Sequence, residues 1–248
     1  LWITLAVFGL RTAAMSFNNI ADLDIDRINP RSMNRPLVIG AVSLRDAWVL
    51  VVLGSLLYYF SAYMLNIYTR LLSPLLWIIA MSYPYAKRIH WLPHLHLGFT
   101  LGLVVFGGSV ASTGGNATSI VEVLSHVPWI YVGAVTLWVA GFDIIYSIMD
   151  YDFDKKQGLG SIPAKLGIRN AVIIAAATHI VSMILFFVAI YVYKLGIASL
   201  LATIGASMLL VYQHVVVNKS LRNIPYAFNL NLYVGVLVSI GIIIDKIL

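Results

Sequence analysis

Cysteine is absent from the 248 residues, which excludes disulfides and thiolate chemistry. Charge is also scarce: Asp, Glu, Lys and Arg make up 10% of the chain, against a hydrophobic share of 60% and a mean hydropathy of +0.90. Soluble domains carry roughly 25% charged residues, so an ordinary soluble protein is excluded. The apolar runs are continuous and lack period-two alternation, which excludes a transmembrane β-barrel. The chain has neither an initial Met nor a signal-peptide pattern. Residue 1 already falls inside an apolar run, and the expectation is that a preceding helix is missing.

What is present is a series of apolar segments, each near the roughly twenty residues a spanning helix needs. They cover 1–20, 46–67, 71–86, 95–113, 127–149, 170–193, 196–217 and 227–246. This pattern predicts an all-α, polytopic transmembrane bundle of eight helices, forming a single domain over 1–248. With this topology Arg27, Arg31, Arg35, Arg45, Lys87, Arg88, Lys155, Lys156, Lys165, Arg169, Lys219 and Arg222 share one face. Arg70, Lys194 and Lys246 fall on the other, and Arg11 lies within a span. The positive-inside rule makes the basic face cytoplasmic and predicts a multi-pass protein of the plasma membrane. The net charge of +6 follows from that topology and implies no nucleic-acid partner.

The acids are not scattered. Asp22, Asp24 and Asp26 form one group and Asp143, Asp150, Asp152 and Asp154 another, leaving three of the ten acids elsewhere. Both groups fall on the basic face, where packing alone does not explain the desolvation cost. Asn18, Asp22 and Asp26 lie at i, i+4 and i+8, and share a face if the helix continues to Asp26. Asp143, Tyr146, Asp150 and Asp154 repeat that helical spacing, so two polar stripes are expected to face each other. Clustered carboxylates near a low dielectric need a compensating cation, and oxygen ligands without His or Cys favour Mg²⁺ together with substrate phosphate oxygens. The plainer alternative is that the acids cap helices or pair with Arg27, Arg31, Lys155 and Lys156 in solvated loops.

Between the groups lie basic loops. Arg31 and Arg35 flank a turn closed by Pro36, where guanidinium groups suit phosphate oxygens; positive-inside anchoring is the alternative. Ser43 and Asp46 match a capping box opening the next helix. Tyr83-Pro84-Tyr85-Ala86-Lys87-Arg88 closes a further span and sets two cations where a diphosphate would lie. His90, His94 and His96 suit an interfacial loop, which accounts for them without a metal. Arg11 needs a partner inside its span; Asp143 or an anionic acceptor fits that need better than snorkelling.

These residues resemble the UbiA superfamily of intramembrane prenyltransferases, and within it the 4-hydroxybenzoate polyprenyltransferases. Asn18-Asn19-Ile20-Ala21-Asp22-Leu23-Asp24-Ile25-Asp26 is similar to the first aspartate motif, followed by Arg31 and Asn34-Arg35-Pro36-Leu37. Tyr83 to Arg88 resembles the Tyr-Pro/Lys loop, and Asp143 to Lys156 with Gly158, Ser161 and Leu166-Gly167 resembles the second aspartate motif. Two departures stand out: Asn19 replaces a frequent Asp, and eight spans are counted where the family has nine, which leads to the expectation that the first is missing. The resemblance implies that Asn18, Asp22, Asp26, Asp150 and Asp154 bind Mg²⁺ and the diphosphate. Arg31, Arg35 and Lys87 are then available to the phosphates, with Tyr83 and Lys155 counted among the substrate-binding residues. It implies that Asp143, Tyr146 and Arg11 lie deeper, near the reacting carbon and the acceptor ring, and that Asp22, Asp150, Asp143 and Arg11 serve catalysis.

The expected activity is transfer of a polyprenyl group from its diphosphate to a small aromatic acceptor, 4-hydroxybenzoate first, in quinone-type lipid biosynthesis within the bilayer. Other acceptors of the same superfamily are geranylgeranylglyceryl phosphate and a naphthoquinone precursor. From a different class, a cation- or proton-coupled transporter also places acids in a membrane. Transporter sites tend toward the midplane, whereas these acids crowd one face.

Overall fold

The protein is described here by a computed structural model covering residues 1–247, and among these residues every regular element is helical. The chain packs into two compact units. Unit 1 comprises Leu1–Ile89 and Leu103–Pro128; unit 2 comprises His90–Gly102 and Trp129–Leu248.

Unit 1 contains α1 (Trp2–Ala21), α2 (Leu23–Asp26), α3 (Leu44–Leu65), α4 (Ile67–Ile89), the second half of α5 (Pro93–Thr113) and α6 (Ile120–Ser125). Glycine brings α1 against α3: a Cβ on Gly9 would lie 2.7 Å from the Gly54 carbonyl oxygen, and a Cβ on Gly54 would lie 2.7 Å from that of Gly9. Small residues allow this approach between membrane helices, where van der Waals packing replaces the hydrophobic effect. At the α3–α4 junction, Asn66 accepts from the Tyr68 and Thr69 backbone N–H groups through Oδ1. Its Nδ2 donates to the carbonyls of Val110 and Ala111. Ser43 and Asp46 form the expected capping box at the start of α3.

The span expected at 71–86 is longer than the sequence suggested. Pro74 and Pro84 lie inside α4, which continues to Ile89. Pro74 has no N–H to offer the Arg70 carbonyl, and the Ser73 hydroxyl donates to that carbonyl at 2.9 Å. Side-chain substitution of this kind lets membrane helices tolerate proline.

Unit 2 contains the first half of α5, α7 (Trp129–Ser147), α8 (Tyr151–Gln157), α9 (Ile162–Leu166), α10 (Ile168–Val192), α11 (Ile197–Lys219) and α12 (Ile224–Ile247). Its core joins Ile144, Ile145 and Ile148 to Ile162, Ala175, Val217 and Ala227. Polar side chains pin the helices: Ser182 donates to the Ala134 carbonyl at 2.7 Å, and Trp138 Nε1 donates to Asn231 Oδ1 at 2.9 Å. Asp245 accepts from the N–H groups of Gly196, Ala198 and Ser199 and so caps the first turn of α11.

The eight long helices coincide with the eight expected spans to within a few residues. Six candidate spans, built on α3, α5, α7, α10, α11 and α12, are long and apolar enough to cross a bilayer by length and composition. α1 and α4 fall outside that set because they carry polar side chains: Arg11 and Asn18 on α1, Ser82, Lys87 and Arg88 on α4.

Candidate active site

The first acidic group sits where α1 breaks. α1 ends at Ala21, Asp22 caps it with φ −95° and ψ 3°, and α2 resumes at Leu23. The uninterrupted helix to Asp26 is therefore corrected to a helix, a break and one further turn. The i+4 linkage survives, since the Asp22 N–H donates to the Asn18 carbonyl at 3.0 Å and the Asp26 N–H to the Asp22 carbonyl at 2.7 Å. Asp22 and Asp26 are each 4% exposed, whereas the Asp24 side chain is 66% exposed. One acid in this run is thus directed differently from the other two.

Each acid meets a cation of unit 1. Lys87 Nζ lies 2.7 Å from Asp22 Oδ2, and Arg35 Nη1 lies 2.6 Å from Asp26 Oδ2. Arg88 grips Asp24 with both nitrogens, at 2.9 and 2.6 Å, and donates to the Ala21 carbonyl at 2.7 Å. α4 thereby delivers both its terminal cations to the break in α1. Tyr83, one turn earlier on α4, is half-buried, while Arg31 is exposed and its N–H donates to Asn29 Oδ1 at 3.0 Å. Arg11 is exposed on α1.

Burial raises the pKa of Asp22, and the Lys87 ammonium opposes that rise. The Arg88 hydrogen bonds hold Asp24 down, to about 2. A lowered folded-state pKa adds stability above the ordinary value of 3.8, and that stability is lost as pH falls through the folded value of about 2. The pair is solvated, so its contribution is expected to stay below about 1 kcal/mol. We expect a small loss of thermal stability between those two pH values in wild-type protein that is absent from Asp24→Asn, measured by melting in detergent.

Asp22 Oδ1 is buried without a hydrogen-bond partner, and Arg88 Nη2 stands 3.9 Å away. Such an orphaned carboxylate oxygen suits a hard divalent cation, so the residues present fit Mg²⁺. Among the described residues no three His, Cys, Asp or Glu side chains converge as a ready-made metal cage. Asp22 and Asp26 instead each pair with a cation, Lys87 and Arg35. Mg²⁺ commonly takes one or two carboxylates and completes its octahedron with substrate phosphate oxygens and water.

The second acidic group, in unit 2, is also interrupted. α7 stops at Ser147, a 3₁₀ turn covers Ile148–Asp150, and Asp150 then caps α8. Asp143, Tyr146, Asp150 and Asp154 are half-buried, so the stripe is kept in outline but shifted in phase by the tighter turn. Tyr146 packs on Phe228 with ring centroids 4.4 Å apart. Lys155 is exposed, with Nζ 5.5 Å from the centre of the Tyr151 ring. Gly158 closes α8 at φ +67°, in the left-handed region that favours glycine.

Asp143 has a partner that sequence reasoning missed. His94 Nδ1 lies 2.6 Å from Asp143 Oδ2, and His94 is 2% exposed. The interfacial-loop expectation for His94 is therefore corrected: it is a buried partner of Asp143. The signal was available: His94, Gly98 and Gly102 fall at i, i+4 and i+8, a small-xxx-small pattern with a polar residue one turn ahead. A Cβ on Gly98 would lie 2.2 Å from the Thr136 carbonyl oxygen, and one on Gly102 would lie 2.3 Å from Thr136 Oγ1. Close approach of α5 to α7 is what brings His94 onto Asp143.

Comparison with known proteins places these features. The model of the UbiA prenyltransferase family matches residues 1–235. A 4-hydroxybenzoate octaprenyltransferase of Blochmanniella floridana is 30% identical over 96% of this chain and 82% of its own length. One from Francisella tularensis subsp. novicida is 27% identical over 98% and 83%. The apo structure of a UbiA homologue from Aeropyrum pernix K1 is 53% identical, covers 99% of this chain and 88% of that one, and superposes with a TM-score of 0.95. A UbiA homologue from Archaeoglobus fulgidus bound to GPP and Mg²⁺ shares the fold at 19% identity, with a TM-score of 0.63 and coverage of 96% and 88%. With its helical spans, its paired buried acids and a family match over nearly its whole length, this chain is an integral membrane prenyltransferase of the UbiA family.

Proposed function

We propose that this enzyme transfers a polyprenyl group from its diphosphate to 4-hydroxybenzoate, with Mg²⁺ as cofactor, in quinone-type lipid biosynthesis. The observation that carries the reading is Asp22: a buried carboxylate with one oxygen on Lys87 and the other without a hydrogen-bond partner. The names of the curated relatives support the acceptor, and the GPP and Mg²⁺ of the Archaeoglobus fulgidus homologue support the donor and the ion.

In this reading Asn18, Asp22, Asp26, Asp150 and Asp154 hold Mg²⁺ and diphosphate, and Lys87, Arg31, Arg35, Tyr83 and Lys155 serve the phosphates. The whole of 1–248 works as a single domain, multi-pass in the plasma membrane, with the site toward the cytoplasmic face. When bound, Mg²⁺ supplies Lewis-acid stabilisation of charge on the leaving diphosphate. Lys87 and Arg35 add cationic charge where that negative charge develops. The allylic carbon–oxygen bond breaks, the ring carbon forms a bond to that allylic carbon, and the displaced ring proton passes to the Asp143 carboxylate. Tyr146 and Arg11 orient the acceptor, and apolar walls keep water from the allylic cation.

The test uses purified protein, Mg²⁺ and geranyl diphosphate with 4-hydroxybenzoate, a naphthoquinone precursor and geranylgeranylglyceryl phosphate as separate acceptors, with products identified by mass. We expect a geranylated 4-hydroxybenzoate that disappears on chelation. Product with another acceptor alone would reassign the substrate, and no adduct with any of the three would overturn the reading.

A further inference from the structure

We propose that His94 is the positioning residue for Asp143, holding its carboxyl group with one oxygen aimed at the acceptor; this rests on Asp143 as the base. Two hydrogen bonds define the imidazole. The Ile162 backbone N–H donates to Nε2 at 3.2 Å, so Nε2 carries a lone pair and no proton. In the neutral ring the proton then resides on Nδ1, which donates to Asp143 Oδ2 at 2.6 Å. The second oxygen of Asp143 is left for a proton from the substrate.

The surroundings fix the ring in that orientation. Ile162 is 2% exposed and belongs to the core that holds Ile144 and Ile145, the residues after Asp143. Its N–H is presented by the tight approach of the preceding segment: a Cβ on Gly160 would lie 2.1 Å from the His90 carbonyl oxygen. The Ser161 hydroxyl accepts from the Ala164 N–H and sets the start of α9. Gly98 sets the depth of α5 against α7 one turn beyond His94. His94 is thus clamped from the loop side through Nε2 and passes that clamp to Asp143 through Nδ1. A carboxylate held only by solvent would sample other rotamers, and loss of about 1 Å in placement lowers rates by about 10²-fold.

The two amide replacements separate the two bonds. His94→Asn puts an NH₂ near the Nδ1 position and keeps the donor to Asp143 while losing the acceptor for Ile162. His94→Gln reaches the Nε2 position, keeps the acceptor and loses the donor. We expect kcat to fall about 10- to 100-fold in His94→Gln with KM for geranyl diphosphate unchanged, and His94→Asn, which keeps the donor to Asp143 but not the clamp, to recover part of that loss. Equal losses in both variants, or a raised KM with kcat unchanged, would mean that His94 acts on packing or binding and would overturn the proposal.

Asp143→Asn, assayed in parallel, distinguishes the proposal from the reading beneath it. An inactive Asp143→Asn beside a wild-type-like His94→Gln overturns the proposal alone, whereas an active Asp143→Asn overturns both. Independently of activity, ¹⁵N-histidine NMR of the wild type should show the His94 signal, identified by its loss in His94→Asn, as the Nδ1–H tautomer. An Nε2–H tautomer would refute the assignment.

Discussion

Replacing Asp22 by Asn is expected to lower prenyl transfer by about 10²- to 10³-fold, the usual consequence of removing one preorganised charge from a site of this kind. The amide keeps the shape of the side chain, but it withdraws the charge and leaves Lys87, 2.7 Å away, without its counter-ion. It also replaces the oxygen that lacks a hydrogen-bond partner and suits a metal. Asp24→Asn is the matched control, because Asp24 is exposed and bound to Arg88. Its activity should stay within about threefold of wild type, as for other surface changes away from a site. Geranyl transfer at saturating Mg²⁺ and melting in detergent would measure both variants. Comparable losses in the two would show that the motif acts through its overall charge rather than through a buried ligand.

The Mg²⁺ site proposed at Asp22 carries its own prediction, a response to acid. Burial raises the Asp22 pKa above its ordinary 3.8, so protons compete with the metal at higher pH than they would at a solvated carboxylate. The Mg²⁺ concentration giving half-maximal rate should therefore rise as pH falls through that raised value. A pH-independent Mg²⁺ requirement across the acid range would remove Asp22 from the metal site.

The second large effect concerns packing. Gly98→Val would place a β-branched side chain where a single Cβ already approaches the Thr136 carbonyl oxygen to 2.2 Å and the Ala140 nitrogen to 3.2 Å. Both neighbours are backbone, which cannot rotate aside, so α5 must move away from α7. Overpacking of this kind costs about 1–3 kcal/mol or more. Each kcal/mol corresponds to about 2–4 °C in melting temperature for a chain of this size. Because the same approach sets His94 against Asp143, transfer should fall more than tenfold in whatever fraction remains folded. Gly108→Ala on the same helix meets nothing within 4 Å and should melt at or slightly above the wild-type temperature. If Gly98→Val melted with the wild type, the close approach would not be what holds these helices together.

Much of this enzyme was legible before any coordinates. Apolar runs separated by short polar loops marked the eight long helices of the described residues, because the cost of burying backbone in lipid leaves a continuous apolar stretch little other choice. The Asp22 and Asp26 pair was legible from its spacing, as was the capping box at Ser43 and Asp46. These are relations between residues a turn or two apart, and helical geometry alone sets them. The break at Asp22 and the 3₁₀ turn at Ile148–Asp150 escaped detection, since nothing local in those residues forbids a continuous helix.

Which cation serves which acid was not legible. Lys87 and Asp22 are 65 residues apart and His94 and Asp143 are 49 apart, so each pair depends on how its helices pack. Arg31, Arg35, Lys87 and Arg88 are chemically near-equivalent when read along the chain, and burial separates them. His94 looked like one of three loop histidines until the glycines beside it drew α5 onto α7. Periodicity and hydropathy act within a helix and are written into consecutive residues; partner choice between helices is set by backbone distances of closest approach, which exist only once the chain has packed.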